Sequence, residues 1–523
     1  MKRISFYIAS LVLGMAVLSG CTKSLDKQPP NTLPSANVYS TEAGYLQVLA
    51  KVYGSVALTG NQGPAGNGDV AGIDEGTSDF VRLFWKAQEL STDEAVVAWN
   101  DPGIQDFHNM NWSSSNPMLK GLYYRCTYIV TLCNEFIRES APDKVSGRGL
   151  SADNIKKMHA EARFIRAFAN WVLLDLYANP GFTTENDPIG KFNPPQTNRA
   201  QLFTYIESEL KAIDGDLSAP RSGDYGRADK AAAWSLLARM YLNAKVYTGT
   251  DKYTDAITYS KKVIDAGYGL LSNYTWLGLA DNNVNNPEFI LTLNYDGIRS
   301  KNWGGTTFLV NASVGGDMDR GVSGLTGWGG IRATKNLPNL FPDVNGTGDK
   351  RAQFTAGSQN LEINNISDFK DGLAVIKYRN RTRSGAFGND PEKTFSDIDF
   401  PLFRLAEMYL IYAEAVKRGG TGGSDAQAVI YLNALRTRAQ VVAGNIGSYT
   451  LDYILDERAR ELYWEGFRRT DLIRFDRFVE GTYLWPWKGG VKSGTGVAAI
   501  RKIYPIPDSE IAANPNLTQN AGY

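Results

Sequence analysis

The sequence is short of the side chains that most often perform catalysis or hold metals. It contains three cysteines and two histidines in 523 residues, and His108 and His159 lie far apart in the chain. That spacing argues against a histidine metal cage or a haem clamp. We find no phosphate-binding loop, G-x-S-x-G elbow, H-E-x-x-H motif or catalytic-cysteine signature. A glycosidase needs only two positioned carboxylates, so that alternative stays open, but no pair stands out and we predict a protein that is not an enzyme.

The chain also lacks net charge. Lys plus Arg equal Asp plus Glu at 55 each, and no long block of like charge occurs. The charge balance argues against a basic surface for binding nucleic acid or anionic lipid, and it favours neutral partners. Loops rich in Asp and Asn, such as 281–286, occur with and without calcium, so no cofactor or metal is predicted.

Two of the three cysteines fall in one segment with helical periodicity, 121–138. Cys126 and Cys133 are seven residues apart, which places them on one helix face about 10 Å from each other. A disulfide cannot bridge that distance. We interpret both as small buried hydrophobic residues.

The third cysteine follows an export signal. Two basic residues precede an apolar run that ends at Leu18, and Ser-Gly-Cys21 comes next. The run is shorter than the ~20 residues of a membrane-spanning helix, and small residues before a cysteine are typical of lipoprotein signals. We predict a signal peptide over 1–20, lipid modification of Cys21 and a lipid-anchored tether over 21–40. An ordinary signal peptide with an incidental cysteine is the alternative.

Apolar residues recur at i, i+3, i+4 and i+7 in neighbouring segments, the pattern of amphipathic helices. These segments are 160–177, 202–213, 229–244, 253–266, 403–417 and 426–438. Small residues alternate with large ones along 229–266, as in tetratricopeptide helix pairs. We predict a mainly α fold, a tetratricopeptide-like helical repeat scaffold of about four helix pairs.

The texture changes between 271 and 399, where Asn, Gly, Asp and short aliphatic runs such as 289–293 and 373–378 replace the helical rhythm. We predict that 271–399 is a loop-rich ligand-binding insert with short strands, laid on a helical scaffold formed by 41–270 and 400–523. A body of this size exceeds the usual limit for one core, ~250–300 residues, so one elaborate domain over 41–523 and two intimate ones both fit.

Tryptophans divide into two groups by context. Those on apolar helical faces are predicted to be core: Trp171, Trp234 and Trp464. Those in polar, glycine-rich surroundings are Trp99, Trp112, Trp303 and Trp328. The C–H face of a sugar ring packs on an indole while its hydroxyls reach polar side chains, so the second group suggests a glycan platform. Loop-packing anchors are the alternative.

Two long C-terminal motifs resemble those of a known family. Residues 456–475 (DERARELYWEGFRRTDLIRF) and 504–523 (YPIPDSEIAANPNLTQNAGY) are similar to the signature of the RagB/SusD family of nutrient-binding outer-membrane lipoproteins. We interpret these motifs as architectural and expect Glu465 to pair with Arg468 and Arg469 at i+3 and i+4.

Shorter motifs extend the resemblance over the mature chain and towards the starch-binding member of the family. They are 74–82 (DEGTSDFVR), 89–95 (ELSTDEA), 99–101 (WND), 246–249 (VYTG) and 327–332 (GWGGIR). The resemblance implies non-catalytic binding of starch or malto-oligosaccharides, which are α-1,4-glucans. It also implies an outer-membrane location facing the cell exterior and delivery to a SusC-type TonB-dependent transporter.

The resemblance further implies a ligand site. Its aromatic arc is Trp99, Trp303 and Trp328, and its hydrogen-bonding residues are Asp74, Arg82 and Asn100. At 303 we expect tyrosine in the starch-binding member, so this chain carries a larger ring there. Two alternatives remain: the same scaffold binding another glycan or a peptide, and a tetratricopeptide-type adaptor that binds only protein.

Overall fold

A computed structural model describes residues 35–74, 76–355 and 357–523 of the chain. The predicted signal peptide, Cys21 and most of the predicted tether lie outside these residues. Within them, no helix combines the length and the apolar character needed to cross a membrane.

The described chain is mainly helical. Its α-helices are α1 (Ser35–Val38), α2 (Glu42–Ala57), α3 (Phe80–Glu89), α4 (Asp106–Asn109), α5 (Pro117–Glu139), α6 (Pro142–Gly147), α7 (Ala152–Leu176), α8 (Arg199–Ala212), α9 (Lys230–Leu242), α10 (Ala244–Thr248), α11 (Tyr253–Ile264), α12 (Gly305–Ala312), α13 (Arg320–Ser323), α14 (Leu405–Lys417), α15 (Asp425–Arg438), α16 (Leu451–Leu462), α17 (Arg468–Arg474) and α18 (Asp508–Ala513). Each predicted helical segment overlaps one of these helices. The largest difference is at α7, which begins at Ala152 rather than at residue 160.

Local sequence explains where several helices begin. The side chains of Asp79, Asp229 and Ser424 each accept a hydrogen bond from a backbone N–H in the first turn of α3, α9 and α15. Such residues satisfy N–H groups that have no partner inside the helix. α5 begins with Pro117 after the capping Asn116, because proline's fixed φ suits the first helical position.

The helices pack as neighbouring pairs, α5 on α7, α9 on α11 and α14 on α15, and α11 also packs on α14. Small residues at the contacts allow this close approach. Ala232, Ala238 and Ala256 are fully buried. The predicted mainly α, tetratricopeptide-like scaffold is confirmed.

Short antiparallel strand pairs join distant parts of the chain. The strands are β1 (Ala95–Val97), β2 (Phe289–Leu293), β3 (Ile331–Ala333), β4 (Phe354–Thr355), β5 (Ala374–Val375) and β6 (Phe400–Arg404). The pairs are β1 with β3, β2 with β6 and β4 with β5. The strand expected at 289–293 is present, whereas only two residues of 373–378 form one. The boundaries of the predicted insert stay a prediction.

Cys126 and Cys133 are buried and free on α5. Burial raises the pKa of both thiols, that of Cys133 to about 12. The interpretation as small buried hydrophobic residues is confirmed.

The expected pairing of Glu465 with Arg468 and Arg469 is wrong. Glu465 instead binds Arg404, at 2.8 and 2.9 Å, and Lys377 Nζ, at 2.6 Å. The helix α16 ends at Leu462, and Trp464 and Gly466 have positive φ. Because the chain turns there, Glu465 is not on the same helix as Arg468, and the i+3 geometry does not exist.

Glu465 belongs to a network of buried charges. Arg404 also binds Glu288, at 2.8 Å, and Glu461, at 2.6 Å. Burial alone would raise the pKa of Glu461, but the guanidinium groups of Arg438, Arg404 and Arg351 lower it to about 2. These acids and bases are almost fully inaccessible to water. The network therefore depends on every member having its partner.

We expect Arg404→Met to lower the free energy of unfolding by about 3–5 kcal/mol, because it leaves buried carboxylates without a counter-charge. Chemical denaturation measures this. The control is Lys261→Ala in the exposed pair Lys261–Asp265, where less than about 1 kcal/mol is expected. Equal losses in the two variants would contradict the importance of the network.

Two further acids, Glu89 and Glu94, are buried between the end of α3 and the start of β1. Burial raises the pKa of Glu94 to about 8 against the opposing charge of Arg468. Burial and the neighbouring Glu94 raise the pKa of Glu89 well above its usual value. The folded chain therefore holds Glu94 protonated at pH values where the unfolded chain would release the proton. The neutral carboxyl group contributes its full stability below pH 4.5, and this contribution is lost as the pH rises towards about 8.

Glu94→Gln is expected to remove this pH dependence. As the pH rises from 5 to 8, the free energy of unfolding of the variant should increase by about 1 kcal/mol or more relative to that of the unsubstituted chain. Denaturation curves at several pH values provide the measurement. Glu362→Gln, at an exposed ion pair, is the matched control and should show no such gain.

Candidate functional site

The pairing of β1 with β3 brings together two tryptophans that are 229 residues apart in sequence. Val97 faces Ile331 in the ladder, and Ala98 N donates to Gly330 O at 2.8 Å. Trp99 follows β1 and Trp328 precedes β3, so the ladder places their side chains side by side. Their ring centroids are 6.4 Å apart.

Glycine is required beside Trp99. A Cβ at Gly330 would lie 2.3 Å from the Trp99 ring, which no side chain permits. The indole Nε1 of Trp99 donates to Gly329 O at 3.2 Å. The Gly-Gly pair after Trp328 therefore seats the Trp99 ring against the backbone.

Trp303 lies just before α12 and completes the row. Its ring centroid is 6.1 Å from that of Trp328 and 4.8 Å from that of Phe395. Asn302 fixes this turn, because its side chain accepts from Gly304 N at 2.5 Å and donates to Ala57 O at 2.9 Å.

The helix α12 also positions the rings of Trp328 and Trp99. Asn311 at its C-terminal end accepts Trp328 N on its backbone oxygen at 2.6 Å and Gly327 N on its side-chain oxygen at 2.9 Å. Phe308, fully buried, lies 6.2 Å from the Trp99 ring. One helix thus sets the positions of Trp303, Trp328 and Trp99.

The three tryptophans form an arc of partly buried rings, which we call the ring arc. Trp328 is its centre, with Trp99 on one side and Trp303 on the other. The planes of neighbouring rings are tilted by 43° and 52°. The arc therefore presents three faces that do not share one plane.

Arg82 on α3 ties the arc to a preceding loop. Its Nη1 donates to Gly76 O at 2.8 Å and to Trp303 O at 3.1 Å, and its guanidinium carbon is 5.9 Å from the centre of the Trp328 ring. Its Nε is buried without a hydrogen-bond partner among the described residues. Burial lowers the pKa of Arg82, and Asp74, Asp79 and Asp101 oppose that shift.

Asp74 lies beside the ring arc, and Asn100 directly follows Trp99 in the chain. Asp74 is exposed, and a Cβ at Gly76 would touch both its carboxylate, at 3.3 Å, and the Trp303 side chain, at 3.1 Å. Asp74 Oδ2 accepts from Thr77 Oγ1 at 2.9 Å. Asn100 is exposed beside Trp99. All six predicted ligand-binding residues therefore lie at or next to the ring arc.

Trp112 does not join them. It is 1% exposed, and its Nε1 donates to Tyr523 OH at 2.7 Å. It anchors the C-terminus, so the alternative of a packing anchor holds for this tryptophan.

Several residues at the site escaped sequence reasoning: Phe308, Asn311, Phe395, Lys86 and Asp101. Lys86, one turn after Arg82, is buried with its Nζ 5.6 Å from the Phe308 ring centre, and burial and Arg82 lower its pKa well below the usual value. Asp101 is exposed and acts electrostatically on both cations. Asp101 is part of the WND motif at 99–101, so a sequence signal for it existed. The other four residues are buried, and no sequence pattern distinguished them from ordinary core residues.

Among the described residues, no group of three or more His, Cys, Asp or Glu side chains is placed to hold a metal ion. In the loop 281–286, the carboxylate of Asp281 accepts the backbone N–H of Arg383 at 3.0 and 3.1 Å.

Comparisons with known proteins identify the family of this chain. A model of the SusD family matches residues 371–523. The starch-binding protein SusD of Bacteroides thetaiotaomicron is 34% identical over 99% of this chain and 98% of its own length. A SusD-like protein of Bacteroides ovatus is 25% identical over 92% of this chain and 84% of its own length.

Solved structures share the fold. A SusD superfamily protein from Bacteroides vulgatus matches with a TM-score of 0.71 and 18% identity, over 92% of this chain and 99% of its own. Surface glycan-binding protein A from Bacteroides thetaiotaomicron, in complex with laminarihexaose, matches with a TM-score of 0.70 and 22% identity over the same shares. The 34% identity to the starch-binding relative over nearly the whole of both chains shows the family: this chain belongs to the SusD family.

Proposed function

We propose that this protein binds starch or malto-oligosaccharides without catalysis and that the ring arc is the binding site. The observation that carries the proposal is the convergence of Trp99, Trp328 and Trp303 in one row with centroid steps of 6.4 and 6.1 Å. Indole rings pack on the C–H faces of sugars, and side chains such as Asp74 and Asn100 can bond the hydroxyls.

The tilts between the rings favour a curved ligand. An α-1,4-glucan curls along its length, whereas a β-1,4-glucan is extended and flat. A flat chain fits less well than a curved one on three faces whose neighbours are tilted by 43° and 52°. The starch-binding relative supports α-1,4-glucan as the ligand, whereas the fold neighbours whose names mention laminarihexaose or laminarin make β-1,3-glucan the alternative within the class.

We expect Trp328→Ala to reduce the affinity for maltoheptaose at least tenfold, about 1.4 kcal/mol, because it removes the ring that touches both others. Calorimetric titration of the chain from residue 22 on, with maltoheptaose, a cyclic α-glucan, laminarihexaose and a β-1,4-glucan oligomer, measures this. Trp276→Ala is the matched control, because Trp276 is partly buried under Arg383 and contacts none of the three rings.

Each outcome of this titration separates the alternatives. Binding of the α-glucans alone, lost in Trp328→Ala and kept in Trp276→Ala, supports both ligand and site. Binding of laminarihexaose alone would move the ligand to β-1,3-glucan, and binding of none of the four would favour a peptide ligand or a protein-only adaptor.

We further propose that the protein is held at the outer membrane through Cys21, faces the cell exterior and passes its ligand to a SusC-type TonB-dependent transporter. Family membership and the small residues before Cys21 support this. A soluble body on a lipid anchor stays close to a transporter in the same membrane.

Cys21→Ser in the full chain is expected to move the protein from the membrane fraction to the soluble fraction, because no acyl chain can then be attached. Ser24→Ala, three residues later, is the control and should remain with the membrane. Fractionation followed by detection of the protein measures the distribution. Membrane retention of Cys21→Ser would contradict the anchor.

A further inference from the structure

Asp79, the residue before α3, makes two contacts with a single carboxylate oxygen. Its Oδ1 accepts Arg82 N, which caps α3, and also accepts Gly305 N at the start of α12, each at 2.8 Å. A helix cap of this kind needs only the first contact. The second contact spans 226 residues of sequence and reaches the turn that carries Trp303.

The turn is built to receive this side chain. A Cβ at Gly304 would lie 2.1 Å from the Cβ of Asp79, and a Cβ at Gly305 would lie 2.5 Å from the Tyr295 ring. Gly304 cannot carry a side chain while Asp79 stays in place, and Gly305 cannot carry one while Tyr295 stays in place. The glycines therefore let the backbone beside Trp303 close onto the carboxylate.

We propose that Asp79 is a positioning residue of the ring arc: it locks α3, which carries Arg82, to the turn of α12, which carries Trp303. The inference rests on the proposed function, in which Trp303 contacts the glucan. Arg82 makes the same connection from the other side, since its Nη1 binds Trp303 O. The two contacts together fix the backbone that follows the Trp303 Cα, at the carbonyl of Trp303 and at the N–H of Gly305.

The acceptor oxygen matters here more than the charge. Asp79 is fully buried, and burial raises its pKa to about 6 against the backbone N–H groups and the cations Arg125 and Arg82. Its Oδ2 and the hydroxyl of Tyr295 have no hydrogen-bond partner among the described residues. An amide at this position keeps one acceptor oxygen and loses only a charge that is poorly solvated.

Asp79→Ser is the discriminating variant. A serine caps a helix well, but its single short side chain cannot also reach Gly305 N. We expect Asp79→Ser to fold, to bind maltoheptaose at least tenfold more weakly and to exchange the backbone amides of 303–308 at least tenfold faster. Asp79→Asn should restore most of the affinity and the amide protection. Calorimetry and hydrogen exchange measured by mass spectrometry provide the two readouts.

The control is Asp229→Ser at the cap of α9, where the carboxylate also accepts two backbone N–H groups, of Ala232 at 3.1 Å and of Arg221 at 2.8 Å. This variant should keep wild-type glucan affinity. Wild-type affinity together with unchanged amide exchange in Asp79→Ser would overturn the proposal. Because the exchange of 303–308 is measured without ligand, it tests the lock even if the unsubstituted chain binds none of the glucans.

Discussion

The loop-rich part of the chain is held to the helices by charges that are buried together with their partners. Glu288 and Lys377 come from the segment between 271 and 399, and they meet Arg404 and Glu465 from the C-terminal part. A buried charge that loses its partner destabilises a protein by several kcal/mol. The two parts therefore cannot shift relative to each other without breaking several such pairs. This constraint fixes the segment that carries Trp303 and Trp328 against the C-terminal part of the chain.

Within that frame, the ring arc is assembled by very little regular structure. A ladder of three residue pairs joins β1 to β3, and one helix of eight residues, α12, supports the rest. Side-chain bonds to backbone do much of the remaining work, as with Asn302 at Gly304 N and Asn311 at Gly327 N. Loops held in this way combine precise ring positions with an open face. In the proposed function, a polymer would reach the partly exposed rings from the side, which an enclosed cavity does not allow.

The sequence was most informative where its signals were local or long. Helical periodicity located the scaffold helices to within a few residues, except at α7, because burial of one face imposes that period. The tryptophans that meet in the arc were picked from their glycine neighbours and from a family resemblance. The partners of Glu465 were missed because a pair at i+3 presumes a continuous helix, and the turn at Trp464 and Gly466 interrupts it. Phe308 and Asn311 were missed because a buried residue of α12 looks like any other core residue until its neighbours are known.

Shape explains better than charge how such a site could select a neutral polymer. A single aromatic contact contributes about 0.5–1.5 kcal/mol beyond the area it buries, too little to hold a sugar by itself. Binding therefore requires that one chain touch several rings at once, and the rings must stand at the spacing and tilt of the ligand before it arrives, since ordering them during binding would reduce the affinity. It follows that residues which never touch a ligand still determine the affinity. Asn311 and Phe308 hold the rings to one curve, and a different curve in another member of the family would suit a different glycan on the same scaffold.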